Sequence, residues 1–559
     1  MNAKPFMAFF HRLLSAAVVV AAAFAPAAAL AAWTVDAERG SIHDGPIEIG
    51  IEKDPVNEGC IVLKKVWQAP KGDWSLDSLP RVEADTGLRP TAIEENFAAW
   101  HYGLRSFTLP DTVRSIGRAA FFSCENATNA LILPSQLEVL GRAAFYCDAK
   151  LSGDLVIPAG VRVVEMEAFY RCSGLTGLSF APGSRLERLD TIAFKGCRGL
   201  RDTVDFSPCE ALERIDPEAF MDGGPDRAVF GEPFRRRVAA ALAAADATNG
   251  YPRASADWLA GSFGIGVHWT TWSTDQDGRR GDFEAAVDAF DVPRFVSQVK
   301  ESGARHIIFT SSWAEQHPPA PCPALDRILP GRTTKRNLLK EIADALAAEG
   351  IRTILYYNHG CNGEDRPWMK AVGYEPGRLE EFGSNIVAIV RDLSIGTGPN
   401  VAGWWFDSPG AVSDAGPHRV ASVKIGDYKY PFRELALAAK AGNPTTLGSV
   451  KSQGGTFVYT PCQEYFSGEE LDRFPLCGRT NAQGMAMHLW LTMDNRDWVH
   501  RGRGFAGLRF SDDWLRDWLS RRLADGCAVT LNVDVDRSGL LNPAAIEQLR
   551  RCVPATLGE

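Results

Sequence analysis

At 559 residues the chain is longer than one hydrophobic core organises, so two or three domains are expected. With 45% hydrophobic and 23% charged residues it has the composition of an ordinary folded protein, which excludes a disordered chain. A formal charge of −9 argues against nucleic acid or anionic lipid as partner, because either demands a basic face.

The first element is a leader. Lys4, His11 and Arg12 precede the apolar "LLSAAVVVAAAFAPAAAL", and "ALA" at Ala29–Ala31 supplies the small residues of a cleavage site. Residues 1–31 therefore read as a secretory signal peptide, and the expected location is secreted, periplasmic or cell-surface. Pro26 breaks the run and argues against a membrane anchor. Cleavage removes Lys4 and Arg12 and no acid, leaving −11 on the mature chain. Residues 32–89, with "GSIHDGPIEIGIEKD" and "LKKVWQAPKGDW", read as a small β-rich cap.

A repeat follows over residues 90–222. Phe97, Phe121, Phe145, Phe169, Phe194 and Phe220 recur every 24 to 26 residues, and Pro110, Pro134, Pro158 and Pro182 keep a step of 24. Each unit reads as a short apolar strand, a proline turn and a phenylalanine-anchored return. Such a unit cannot bury its apolar face alone, so neighbours must stack into a solenoid. Cys124, Cys147, Cys172 and Cys197 follow the same period and are expected as a row of small buried residues rather than as disulfides. The pattern resembles leucine-rich repeats of the bacterial surface-antigen type. Its phenylalanines and leucines are packing, and a solenoid face is a surface for a protein or cell-surface partner.

Residues 223–257 read as a helix and linker, and the texture then changes over 258–559. The runs "SFGIGVHW", "ARHIIFTSS", "IRTILYYN", "VAGWWFDS", "TTLGSV", "TFVYTPCQEY", "AMHLWLTM" and "CAVTLNVDV" alternate with amphipathic helical stretches such as "KRNLLKEIADALAAEG". About eight strand–helix units predict a (β/α)8, TIM-like barrel. Strand C-termini line the active-site mouth of such a barrel, and the residues falling there are His268, Ser312, Tyr356, Tyr357, Asp407 and Glu464. The 15 tryptophans are suited to gripping sugar rings as well as to filling a core.

Six segments, in order, carry a further resemblance: "FGIGVHWTTWS", "DVPRFVSQVKESGARHIIFTSS", "IRTILYYN", "WWFDS", "TMDNRDW" and "LADGCAVTLNVDVDRSGLLNPAAIEQLR". Together they resemble the alpha-L-fucosidase family of glycoside hydrolases. The resemblance implies a retaining hydrolase of a terminal α-linked deoxysugar with Asp407, in "WWFDS", as nucleophile. It implies sugar contacts from His268 and Tyr357 and apolar walls from Trp269, Trp313 and Trp498.

Retaining chemistry needs a second carboxylate that holds a proton, and Glu464 in "TPCQEYF" is the first choice, with Glu469 and Glu470 behind it. One departure bears on the sugar: where the family has adjacent histidines, this chain reads "TSSWAEQ" at 310–316, which predicts a different or modified substrate. The alternative is a barrel without catalysis, serving as a glycan-binding or adhesion protein. The mechanism requires no cofactor or metal, and no Cys/His spacing suggests one.

Overall fold

The computed structural model of the chain describes residues 32–68, 74–216, 218–361, 365–408, 428–452, 460–469, 478–494 and 498–554. Residues 1–31, Glu470 and Asn495–Asp497 lie outside these, and with them the leader, one of the three glutamates and part of "TMDNRDW". The chain divides into two compact units at Arg237/Val238.

In the N-terminal unit an antiparallel sheet of Thr34–Asp36, Ser41–Asp44, Ile47–Lys53 and Cys60–Gln68 continues into a parallel ladder. Its rungs are Arg89–Ile93 and the two-residue strands Ser115–Ile116, Val139–Leu140, Val163–Val164, Arg188–Leu189 and Arg214–Ile215. The phenylalanine period becomes a column of rings. Phe121, Phe145, Phe169, Phe194 and Phe220 stack successively at 5.0 to 5.5 Å with interplanar angles of 3° to 12°.

The cysteine row differs from expectation by one residue. Cys124, Cys172 and Cys197 are fully buried three positions after their phenylalanine, and each thiol donates to a carbonyl of the preceding repeat. In the repeat of Phe145 that place belongs to Asp148, and Cys147 stands beside it, half-buried. All cysteines among the described residues are free thiols.

The C-terminal unit closes an eight-stranded parallel barrel: β1 (Phe263–Val267), β2 (His306–Ser312), β3 (Arg352–Asn358), β4 (Val401–Asp407), β5 (Leu447–Ser452), β6 (Tyr465–Glu469), β7 (Ala486–Thr492) and β8 (Ala528–Asn532). Helices α1 (Val292–Glu301), α2 (Leu338–Ala348), α3 (Leu379–Thr397), α4 (Phe432–Ala439), α5 (Asp512–Ala524) and α6 (Pro543–Cys552) flank it. Asp291, Asn337, Ser511 and Asn542 cap α1, α2, α5 and α6 by accepting first-turn amides, which explains where those helices begin.

Strand alternation sorts the side chains. Ile307, Phe309, Leu355, Tyr357, Trp404, Phe406, Leu489 and Leu531 face the helices, whereas Ile308, Ile354, Tyr356, Trp405, Leu447, Tyr465 and Trp490 fill the barrel. On β1 the inward positions are Gly264 and Gly266, because a Cβ there would lie 2.3 Å from His306 and 2.4 Å from Trp490.

The filling includes a polar chain. Trp405 Nε1 donates to Ser467 Oγ (2.6 Å), Ser467 bonds His488 (2.7 Å), and His488 and His306 both bond Thr530 Oγ1 (2.7 and 2.8 Å). Burial pushes His306 down to about 3, so the ring is neutral and the chain is structural.

One strand is displaced from the sequence reading. The sixth was expected over "TFVYTPCQEY": its residues 456–459 lie outside the described residues, 460–464 are not strand, and β6 begins at Tyr465, where the run ends. The displacement decides which glutamate reaches the mouth.

Candidate active site

Asp407 is the last residue of β4 and shares the inward parity of Trp405. Its Oδ2 accepts from the Tyr356 hydroxyl (2.5 Å) and from Asn358 Nδ2 (3.0 Å), and its Oδ1 accepts from the Ser408 amide (2.6 Å). Lys451 Nζ stands 3.3 Å from Oδ1. Burial works against the charge, but the Lys451 ammonium, the Tyr356 hydroxyl and the Ser408 amide outweigh it, and the carboxyl sits below the usual aspartate range. The side chain is 10% exposed, so the carboxylate is ionised, fixed and still reachable.

Lys451 comes from β5, where Leu447 sets the inward parity, and it also pairs with Glu469, the last residue of β6. The ammonium thus lies between carboxylates from the two strands flanking its own. Burial opposes its charge, but the Asp407 and Glu469 carboxylates outweigh it and raise its pKa. A lysine held so firmly protonated is not a nucleophile, which removes Schiff-base chemistry from consideration.

Rings wall this mouth. His268 directly follows β1 and donates from Nδ1 to Asn532 Oδ1 (2.8 Å). Around it lie Tyr356 at 4.7 Å, Trp313 at 5.0 Å, Trp490 at 5.1 Å and Trp498 at 5.2 Å between ring centroids. Burial, followed by the Asp407 charge, pushes the Tyr356 phenol up, so it remains a hydrogen-bond donor to Asp407.

Asp407, His268, Trp313 and Trp498 are thus gathered at one end of the barrel, and three expected residues are not. Glu464 precedes β6, and the five residues to Glu469 amount to about 16 Å of strand. It is fully buried at the opposite end, bonded to Lys440 (2.8 Å), the Tyr251 hydroxyl (2.6 Å) and the Gly448 amide (2.7 Å). That environment makes it a structural ion pair and removes it from the acid/base role.

Tyr357 faces the helix layer, where its hydroxyl donates to Gln316 (3.1 Å); its neighbour Tyr356 holds Asp407 instead. Trp269 is 1% exposed, packed on Phe283 and Phe290 outside the barrel, and cannot wall the mouth. Sequence reasoning passed over Lys451 and Asn358. An inward lysine two residues beyond Ser449 on an otherwise uncharged strand was the available signal. Among the described residues no group of three or more His, Cys, Asp or Glu side chains is placed to hold a metal ion, and no helix is long and apolar enough to cross a membrane.

A family model described as BspA type Leucine rich repeat region matches residues 91–223 in six copies. Residues 91–223 are a repeat region of that type. No curated protein matches the sequence. Among solved structures, the endo-fucoidan hydrolase MfFcnA4 from glycoside hydrolase family 107 aligns at 15% identity and TM-score 0.40, over 54% of this chain and 53% of that one. The chain therefore spans about half the length of that protein. Alpha-L-fucosidase AlfC from Lactobacillus casei, in complex with alpha-L-fucose product, aligns at 15% identity and TM-score 0.38, over 52% of this chain and 94% of that one. The barrel of the present chain rests on its own hydrogen-bonded closure.

Proposed function

We propose that the protein is an exported retaining glycoside hydrolase, acting on an α-linked deoxysugar with Asp407 as nucleophile and Glu469 as acid/base. The observation that carries this reading is the ammonium of Lys451, bonded to both carboxylates. Two oxygens sharing one ammonium lie within about 6 Å of each other. Retaining enzymes hold their carboxyl groups about 5–5.5 Å apart, whereas inverting ones leave about 6.5–9.5 Å for a water.

The roles follow from position. Asp407, ionised and fixed by three donors besides Lys451, attacks the anomeric carbon. Glu469 gives its proton to the departing glycosidic oxygen and then takes one from the water that hydrolyses the glycosyl ester. Trp313 and Trp498, both only partly buried, offer apolar surface to a ring face and its methyl group.

The test is a panel of aryl α-glycosides, deoxysugars included, with Asp407→Asn as control. Turnover of one member is expected, with at least a roughly 10³-fold loss in the variant. Full activity in the variant would refute the assignment, and binding without turnover across the panel would favour a glycan-binding protein.

A further inference from the structure

The hydrolase reading leaves Lys451 without a role, although it is the best-placed charge in the mouth. It reaches the mouth from β5, between β4 and β6, and is 13% exposed. Among the described residues, the charged or titratable groups facing it are Asp407 on β4 and Glu469 on β6. Tyr356 on β3 stands behind Asp407, and His359 after β3 bonds the Ser408 carbonyl (3.0 Å). Burial lowers the His359 pKa and raises that of Tyr356, so both are neutral, and Lys451 is the cation of the group.

The two-step chemistry moves one negative charge between the two carboxylates. The first step requires Asp407 charged and Glu469 protonated, so the Glu469 carboxylate that pairs with Lys451 takes up a proton before it acts. In the first step the Asp407 oxygen bonds to the anomeric carbon, the glycosidic C–O bond breaks, and the Glu469 proton passes to the leaving oxygen. Asp407 is then a neutral ester and Glu469 the carboxylate. Water reverses the assignment: its proton goes to Glu469, its oxygen goes to the anomeric carbon, and the ester bond breaks to return the Asp407 carboxylate.

We infer that Lys451, resting on the hydrolase reading above, is a shared counter-ion that stays in place while the charge passes from Asp407 to Glu469 and back. Asp407, Lys451 and Glu469 together then sum to zero both in the form that reacts, with Glu469 protonated, and in the glycosyl-enzyme. A fixed ammonium within reach of both oxygens needs no reorganisation as the charge moves, which is the condition for lowering both barriers. Lys451 is a positioning residue in this scheme, since it acts through the two carboxylates.

The experiment compares Lys451→Met and Lys451→Gln with the full-length wild type in two readouts. Carbon-detected NMR titration of the Asp407 and Glu469 carboxyls is expected to move both upward by about a unit or more in the variants, since each loses a cation at contact. Turnover is expected to fall about 10²–10³-fold, with both limbs of the pH–rate profile displaced to higher pH and Lys451→Arg restoring part of the rate. Unmoved titrations in a folded variant, judged by near-ultraviolet circular dichroism, would overturn the inference. A wild type that turns over no glycoside would overturn the hydrolase reading and the counter-ion role with it, and displaced titrations in the variants would then show only that Lys451 is a cation paired with both carboxylates.

Discussion

Glu464 precedes one five-residue strand and Glu469 ends it, and their partners separate what each does. Glu464 neutralises Lys440, which is 5% exposed, so Glu464→Gln strands a buried ammonium. A loss of about 3–5 kcal/mol in denaturant unfolding is expected, with the activity of the folded fraction retained. Glu469→Gln leaves Lys451 its partner Asp407 and is expected to keep most of the stability. It should lose turnover about 10²–10⁴-fold on poor leaving groups and far less on an acidic phenol, which departs without protonation. Asp407 adds a pH dependence of known sign. Its folded carboxyl sits below the unfolded value near 3.8, so the stability it contributes is present above that pH and is lost as pH falls through the folded value. Asp407 was legible because a run ending "WWFD" leaves an acid at a strand end. The choice between Tyr356 and Tyr357 was not, because adjacent residues on a strand face opposite ways and parity needs the register.

The same limit holds for whole elements. β6 was hard to place because "YFSGE" carries a glycine and an acid and lacks the β-branched composition of a strand. What keeps "YFSGE" in the barrel is pairing with β5 and β7, which no local pattern records. The repeats were far more legible, because each phenylalanine stacks on its copy one turn away and the period is the contact. Their cysteine row misled at one place, and the irregular step of 23 between Cys124 and Cys147 was its sign. Asp148 fills the vacated position, fully buried. Its Oδ1 accepts from the Cys124 amide (2.6 Å), and its Oδ2 has no hydrogen-bond partner among the described residues. Burial pushes this carboxyl well above the usual range. A raised folded pKa contributes stability that is complete below pH about 4 and is lost as pH rises through the folded value. Asp148→Cys restores the thiol that donates to a carbonyl in the neighbouring repeats. It is expected to add about 1–3 kcal/mol at pH 7 and to flatten the pH dependence, as urea titrations at pH 4 and pH 7 will read.

At the scale of the whole chain, the two units build their cores by different rules. The solenoid sums nearest-neighbour contacts such as the phenylalanine column, so a change at one repeat acts on that column and its cooperative stretch. The barrel closes on itself, with β1 paired to β8, and breaking its closure breaks the unit. The Glu464–Lys440 pair ties the start of β6 to the end of α4 and, through Tyr251, to the segment ahead of β1, so its loss is felt around the ring. Calorimetry of the full-length protein is therefore expected to show two transitions. Asp148→Cys should raise one of them by several degrees, and Glu464→Gln should lower the other by a similar or larger amount. The double variant should show both displacements, within about 0.5 kcal/mol of their sum, because the two sites share no partner. A single transition moved by both substitutions would mean that the units unfold together, and the separate cores would then not be the unit of stability.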